Sequence, residues 1–198
     1  SGAQRGPLQR IERAYPMAGD DERERLLQAC RESRNSRLYA LVILALSTGA
    51  RHGELISLRW KQVDLNRRTI ELEDTKNGEC RTLHLIQTVI DELEQLGRIR
   101  DLRTTLVYQS EQDPTKPMSS RTAFENAMAK AGITDFGFHG LRHSAASYMA
   151  MHGATQKDIA SVLGHKSLQT TERYMHLADE HMGCFCQLPS TSRRNVLR

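Results

Sequence analysis

Residues 163–176 read LGHKSLQTTERYMH: His165 follows a glycine turn, and nine residues later Tyr174 falls on a segment that reads as a helix capped by Ser167. A tyrosine near the end of a domain ordinarily anchors packing, ring inward and hydroxyl wet. Chemistry at Tyr174 therefore needs company from elsewhere in the chain. Tyr15, Tyr39, Tyr108 and Tyr148 have no comparable neighbours and read as packing residues.

Upstream, TQKDIASVLGH places Thr155 and Asp158 at capping-box spacing and stops at Gly164, so it reads as one short helix. FHGLRHSAASYMAMHGA before it reads as a helix ended by glycine. Within it His139 and Arg142 stand three apart, share a face, and can converge on one small anion. Imidazole exchanges a proton near neutral pH, and guanidinium is a planar fork matching two phosphate oxygens. His139 and His143 mimic half of a metalloprotease motif, but the intervening Gly-Leu-Arg lacks the glutamate base. SSRTAFENAMAKAGI reads as a helix with a serine cap, and TVIDELEQL as another with apolar residues at three and four.

Further upstream, Leu38, Leu41, Val42, Ala45 and Leu46 form an apolar stripe at helical spacing that breaks at Thr48-Gly49, and a second helix starts near His52. Arg51 thus occupies a rigid helix junction. The period then changes to strand alternation in TIELE and RTLHL, separated by DTKNGE, whose Asn77-Gly78 is a hairpin-turn signal. Three short antiparallel strands follow, with Lys76 at the hairpin tip. Trp60 reads as a core or sheet-facing anchor, and DERERLLQAC as a short helix with acids in its first turn.

The composition suits one domain core: 198 residues, 38% hydrophobic and 26% charged. No apolar run approaches the roughly 20 residues of a membrane span, and no apolar leader is present, so a cytoplasmic protein is expected. Net charge +4 and pI near 9.0 fit a nucleic-acid partner without requiring one. The four cysteines, Cys30, Cys80, Cys184 and Cys186, form no CxxC pair and read as reduced thiols. His176, His181, Cys184 and Cys186 lie close in sequence, but Cys-x-Cys is tighter than the usual gap of a zinc site, so neither metal nor cofactor is expected.

Read in order, TGARHGEL (48–55), TKNG (75–78), HGLRH (139–143), LGHKS (163–167) and Tyr174 resemble the tyrosine recombinases, the phage-integrase-like DNA strand-exchange enzymes, over roughly residues 36–178. The resemblance implies their catalytic-domain fold, α+β and mainly helical with a small three-stranded antiparallel sheet. It implies that Arg51 and Arg142 clamp the scissile phosphate and that Glu54 braces the site. It also implies that Lys76 protonates the leaving 5′-oxygen, that His139 exchanges protons, that His165 hydrogen-bonds the phosphate, and that Tyr174 is the nucleophile.

The chemistry wants these residue types on general grounds. Charge developing on a phosphodiester needs fixed cationic donors, each worth about 3 kcal/mol. The phenol must lose a proton as it attacks, and the departing oxygen must gain one. A 3′-phosphotyrosine keeps the bond energy, so another 5′-hydroxyl can rejoin the strand without water or cofactor.

The expected organisation is residues 1–24 as the tail of a missing core-binding domain, 25–180 as the catalytic domain, and 181–198 as a C-terminal tail able to dock on another protomer. The expected partner is double-stranded DNA at a recombination or attachment site, with a homotetramer on DNA, a monomer for the isolated fragment, and a place in the bacterial nucleoid. Two other functions compete. A type IB topoisomerase uses a similar phosphate clamp, though the short LGHKSLQTTERY spacing favours a recombinase. A non-catalytic DNA-binding relative would have lost an arginine or the tyrosine, and both arginines and the tyrosine are present.

Overall fold

A computed structural model describes residues 20–73, 80–164, 167–172, 174 and 175. It divides into two compact units, residues 1–145 and 146–198.

In the first unit, helix α1 (Asp20–Arg31) packs against α2 (Leu38–Thr48) and α5 (Arg121–Ala131). The Arg25 guanidinium donates to the Ala131 carbonyl at 2.9 Å, a cation meeting the negative end of α5. Lys130 and Glu32 pair across the same contact. Helix α3 (His52–Ile56) and a 3-10 turn, Trp60–Gln62, lead into strands β1 (Val63–Asp64), β2 (Thr69–Glu73) and β3 (Cys80–His84), followed by α4 (Gln87–Arg98).

Helix α2 departs from the amphipathic stripe expected of it. Leu38 through Ala45 are all buried while Leu46 is half-exposed, because α1, α3 and α4 pack around it. A helix apolar all round is a central core element. Its C-terminal Thr48 hides its hydroxyl by donating to the Leu44 carbonyl at 2.6 Å. The helix stops at Gly49, whose φ of 64° lies in the left-handed region that glycine enters without a Cβ penalty. Leu41, fully buried here, should cost about 3 kcal/mol when cut to alanine, lowering the melting temperature by roughly 10 °C in a calorimetric scan.

The sheet runs β1-β2-β3, antiparallel throughout, with Ile70 opposite Leu83 and Leu72 opposite Arg81. Ile70, Leu72 and Leu83 are buried, so the alternation expected of TIELE and RTLHL sets one face on the core. The hairpin tip with Lys76 and Asn77-Gly78 lies outside the described residues. Trp60 is a partly buried anchor on the core, as its position predicted, with the Arg100 guanidinium 5.9 Å from its ring centroid.

The boundary between units falls within α6 (Phe138–Met151). In the second unit α7 (Gln156–Leu163) begins with the expected box: the Asp158 amide donates to Thr155 Oγ1 at 3.2 Å and the Thr155 amide to Asp158 Oδ2 at 3.1 Å. It ends at Gly164 in the left-handed region. Residues 169–172 are helical as predicted, and Gln156 Nε2 donates to the Leu168 carbonyl at 2.8 Å, tying that turn to the start of α7. Tyr148 corrects the packing expectation: it is 49% exposed and lies against the His152 ring, centroids 4.0 Å apart.

No described helix is long and apolar enough to cross a membrane. Burial pushes the Cys30 thiol up to about 12, which leaves it protonated and inert.

Candidate active site

Arg51 is the N-cap residue of α3, with extended backbone angles of −70° and 142°. Its amide donates to Glu54 Oε2 at 2.7 Å, and its Nη1 donates to Glu54 Oε1 at 2.9 Å. Only the Glu54 half of a capping box operates, because a guanidinium carries no acceptor for the N3 amide. Glu54 therefore fixes Arg51 twice, through backbone and side chain.

Arg142 approaches the same junction from 91 positions along the chain. It is buried, and its Nη1 donates to the Gly49 carbonyl at 2.7 Å. Gly49 lies two residues before Arg51, so the two arginines expected to form a clamp attach to the two sides of one turn. That turn is rigid because it is the left-handed end of a buried helix.

His139, one turn before Arg142, is exposed and meets His143 edge-on, ring centroids 4.3 Å apart at 86°. Arg142 turns inward while His139 faces outward, so the two occupy different depths. Tyr174 belongs to the second unit, where it is buried at 2% exposure, close in sequence to the fully buried Thr171. Lys76, His165 and the cluster of His176, His181, Cys184 and Cys186 lie outside the described residues. Among the described residues no three metal-binding side chains gather.

Two neighbours of the site were not anticipated. Arg81 reaches Glu54 Oε2 with its Nη2 at 2.7 Å, so one carboxylate serves two arginines. Arg59, the other cation beside Glu54 in sequence, bonds Thr105 instead. The signal for Arg81 was present in RTLHL: strand alternation places it on the face of Leu83 and Leu85, where a charge demands a partner.

The second is His52, whose Nε2 lies 2.8 Å from Ser120 Oγ and whose ring centroid is 4.3 Å from that of Phe138. This corrects the expectation of a serine cap on α5. Ser120 is the N-cap residue, but its backbone is helical and its side chain caps nothing, being committed to His52.

Burial lowers the His52 pKa below its ordinary 6.5. A folded pKa below the unfolded one means that the unfolded chain binds the proton more readily. Stability should then decline as pH falls through 6.5 toward the folded value. Urea midpoints measured across this range should show less decline in His52→Gln than in the parent.

Residues 18–181 match the family model described as the phage integrase family. The chain is 32% identical over 176 residues to the integrase of Salmonella phage P22, covering 81% of this chain and 43% of that protein. It is 29% identical to the shufflon-specific DNA recombinase of Escherichia coli, covering 86% and 44%. The chain thus spans about half the length of these curated relatives.

Among solved structures, XerA recombinase superposes with a TM-score of 0.72 at 26% identity, over 84% of this chain and 62% of that one. The catalytic domain of bacteriophage HP1 integrase superposes with a TM-score of 0.64 at 26% identity, over 88% and 95%. The mainly helical fold with a three-stranded antiparallel sheet is therefore that of tyrosine recombinase catalytic domains. With its arginine-bearing junction and its matched extent, the chain belongs to the phage integrase family.

Proposed function

We propose that this chain is the catalytic domain of a site-specific DNA recombinase that cleaves and rejoins strands through a 3′-phosphotyrosine, serving a prophage or another mobile element. The observation that carries this is the bond of Arg142 to Gly49, two residues before Arg51, which brings the second arginine to the helix junction that bears the first. One guanidinium anchored on the turn and a second, half exposed beside it on Glu54, suit the non-bridging oxygens of a phosphodiester.

In the proposed cycle the Tyr174 hydroxyl attacks phosphorus, its proton passes to solvent or to His139, and the leaving 5′-oxygen takes a proton from Lys76. Arg51, Arg142 and His165 hold the charge that develops on phosphate oxygens, which electrostatic preorganisation rewards most. The phosphotyrosine then returns its phosphate to a second 5′-hydroxyl, which restores the phenol.

The working assembly is a homotetramer on double-stranded DNA. The tail at 181–198 docks between protomers, residues 1–24 join the catalytic domain 25–180 to a core-binding domain, and the site of action is the bacterial nucleoid.

The test is incubation in EDTA with nicked duplexes carrying a random pool of sites, followed by isolation of SDS-resistant adducts and peptide mapping. Adducts mapped to Tyr174 are expected. Folded protein that binds DNA yet links to none of it counts for a non-catalytic relative. On a covalently closed supercoiled circle offered in parallel, relaxation without exchange between two duplexes counts for a type IB topoisomerase.

A further inference from the structure

We propose that Arg81 is a positioning residue. It keeps hold of the Glu54 carboxylate while Arg51 turns from that carboxylate toward a phosphate, and so lowers the cost of freeing Arg51. This rests on the strand-cleavage reading above.

The bonds divide unevenly between the two carboxylate oxygens. Oε1 accepts from the Arg51 guanidinium at 2.9 Å. Oε2 accepts from the Arg51 backbone amide and from Arg81 Nη2, both at 2.7 Å. When the Arg51 side chain departs, only Oε1 loses a donor, and the Oε2 bonds that hold the start of α3 remain.

The exposures fit this division. The Arg51 side chain is 50% exposed, Glu54 27% and Arg81 15%. The wettest member is the one asked to move, and the driest is the one asked to stay. Arg81 is kept in place by β3, where the buried Leu83 shares its face. Without Arg81, Glu54 is a half-buried anion with one guanidinium left to satisfy it, and it competes with phosphate for Arg51.

The distinguishing experiment is a double-substitution cycle. Arg81→Gln should slow formation of the covalent DNA adduct about tenfold, a ΔΔG‡ of about 1.4 kcal/mol, while duplex affinity changes little. Adding Glu54→Gln should recover most of that loss. The glutamine still accepts the Arg51 amide, because Gln serves as well as Glu at the third position of a capping box. If Arg81 were merely structural, the second substitution would deepen the loss.

A readout independent of activity is hydrogen exchange at the Arg51 Nη–H groups, whose Nη1 holds Glu54, followed by NMR in the DNA-free protein. Exchange should be slower than the parent in Arg81→Gln and faster than the parent in the double variant. Unchanged exchange in Arg81→Gln, or a double variant slower in cleavage than either single one, overturns the proposal. Absence of adduct from the parent would instead count against the strand-cleavage reading, while the exchange measurements still decide the role of Arg81.

Discussion

Tyr174→Phe protein should bind recombination-site DNA within a few-fold of the parent and form no SDS-resistant adduct, a loss of at least about 10⁴-fold in single-turnover cleavage. The ring is buried, so phenylalanine keeps the packing, and the melting temperature should move by only a few degrees. A hydroxyl is one contact among many with a duplex, whereas it is the sole proposed source of the covalent bond. Gel shift and denaturing electrophoresis on the same samples separate the two effects. Adducts at the parental level would sink Tyr174 as nucleophile and send the search to another hydroxyl.

Arg142→Ala should lose on two counts. Removing a preorganised donor to the developing phosphate charge costs about 10²- to 10³-fold in cleavage. The same change leaves the Gly49 carbonyl without its donor and costs about 1–3 kcal/mol of stability. Arg142→Lys separates these losses, because lysine restores a charge but not a planar fork. It should recover part of the stability while cleavage stays at least about tenfold down. Melting curves beside adduct-formation rates read both, and Arg142→Ala cleaving within threefold of the parent would remove Arg142 from the clamp.

What the sequence disclosed and what it hid divide along the range of the interactions. Helix ends at Gly49 and Gly164, the box of Thr155 and Asp158, and the alternation of β2 and β3 depend on residues a few positions apart, and local pattern reveals them. The bond of His52 to Ser120 spans 68 positions, that of Arg142 to Gly49 spans 93, and that of Arg81 to Glu54 spans 27. No periodicity encodes such pairs. Ser120 shows the limit well: it stands at an N-cap position by every local criterion, yet a distant imidazole claims its hydroxyl. Arg81 was legible in part, as a cation on an apolar strand face, but the identity of its partner was not. Family resemblance supplied the candidate roles of Arg51, His139, Arg142 and Tyr174, and geometry added how Arg51 and Arg142 are held.

The carbonyl that receives Arg142 belongs to Gly49, the residue that ends a helix buried along most of its length. Steric errors anywhere along α2 can therefore displace a proposed catalytic group without unfolding the domain, because a close-packed core passes small volume changes along rather than absorbing them. A variant library sorted for soluble expression would retain conservative swaps at Val42 or Ile43 that a library sorted for strand exchange would discard. The gap between the two surviving sets would map how far the mechanical influence of the core extends into the reaction.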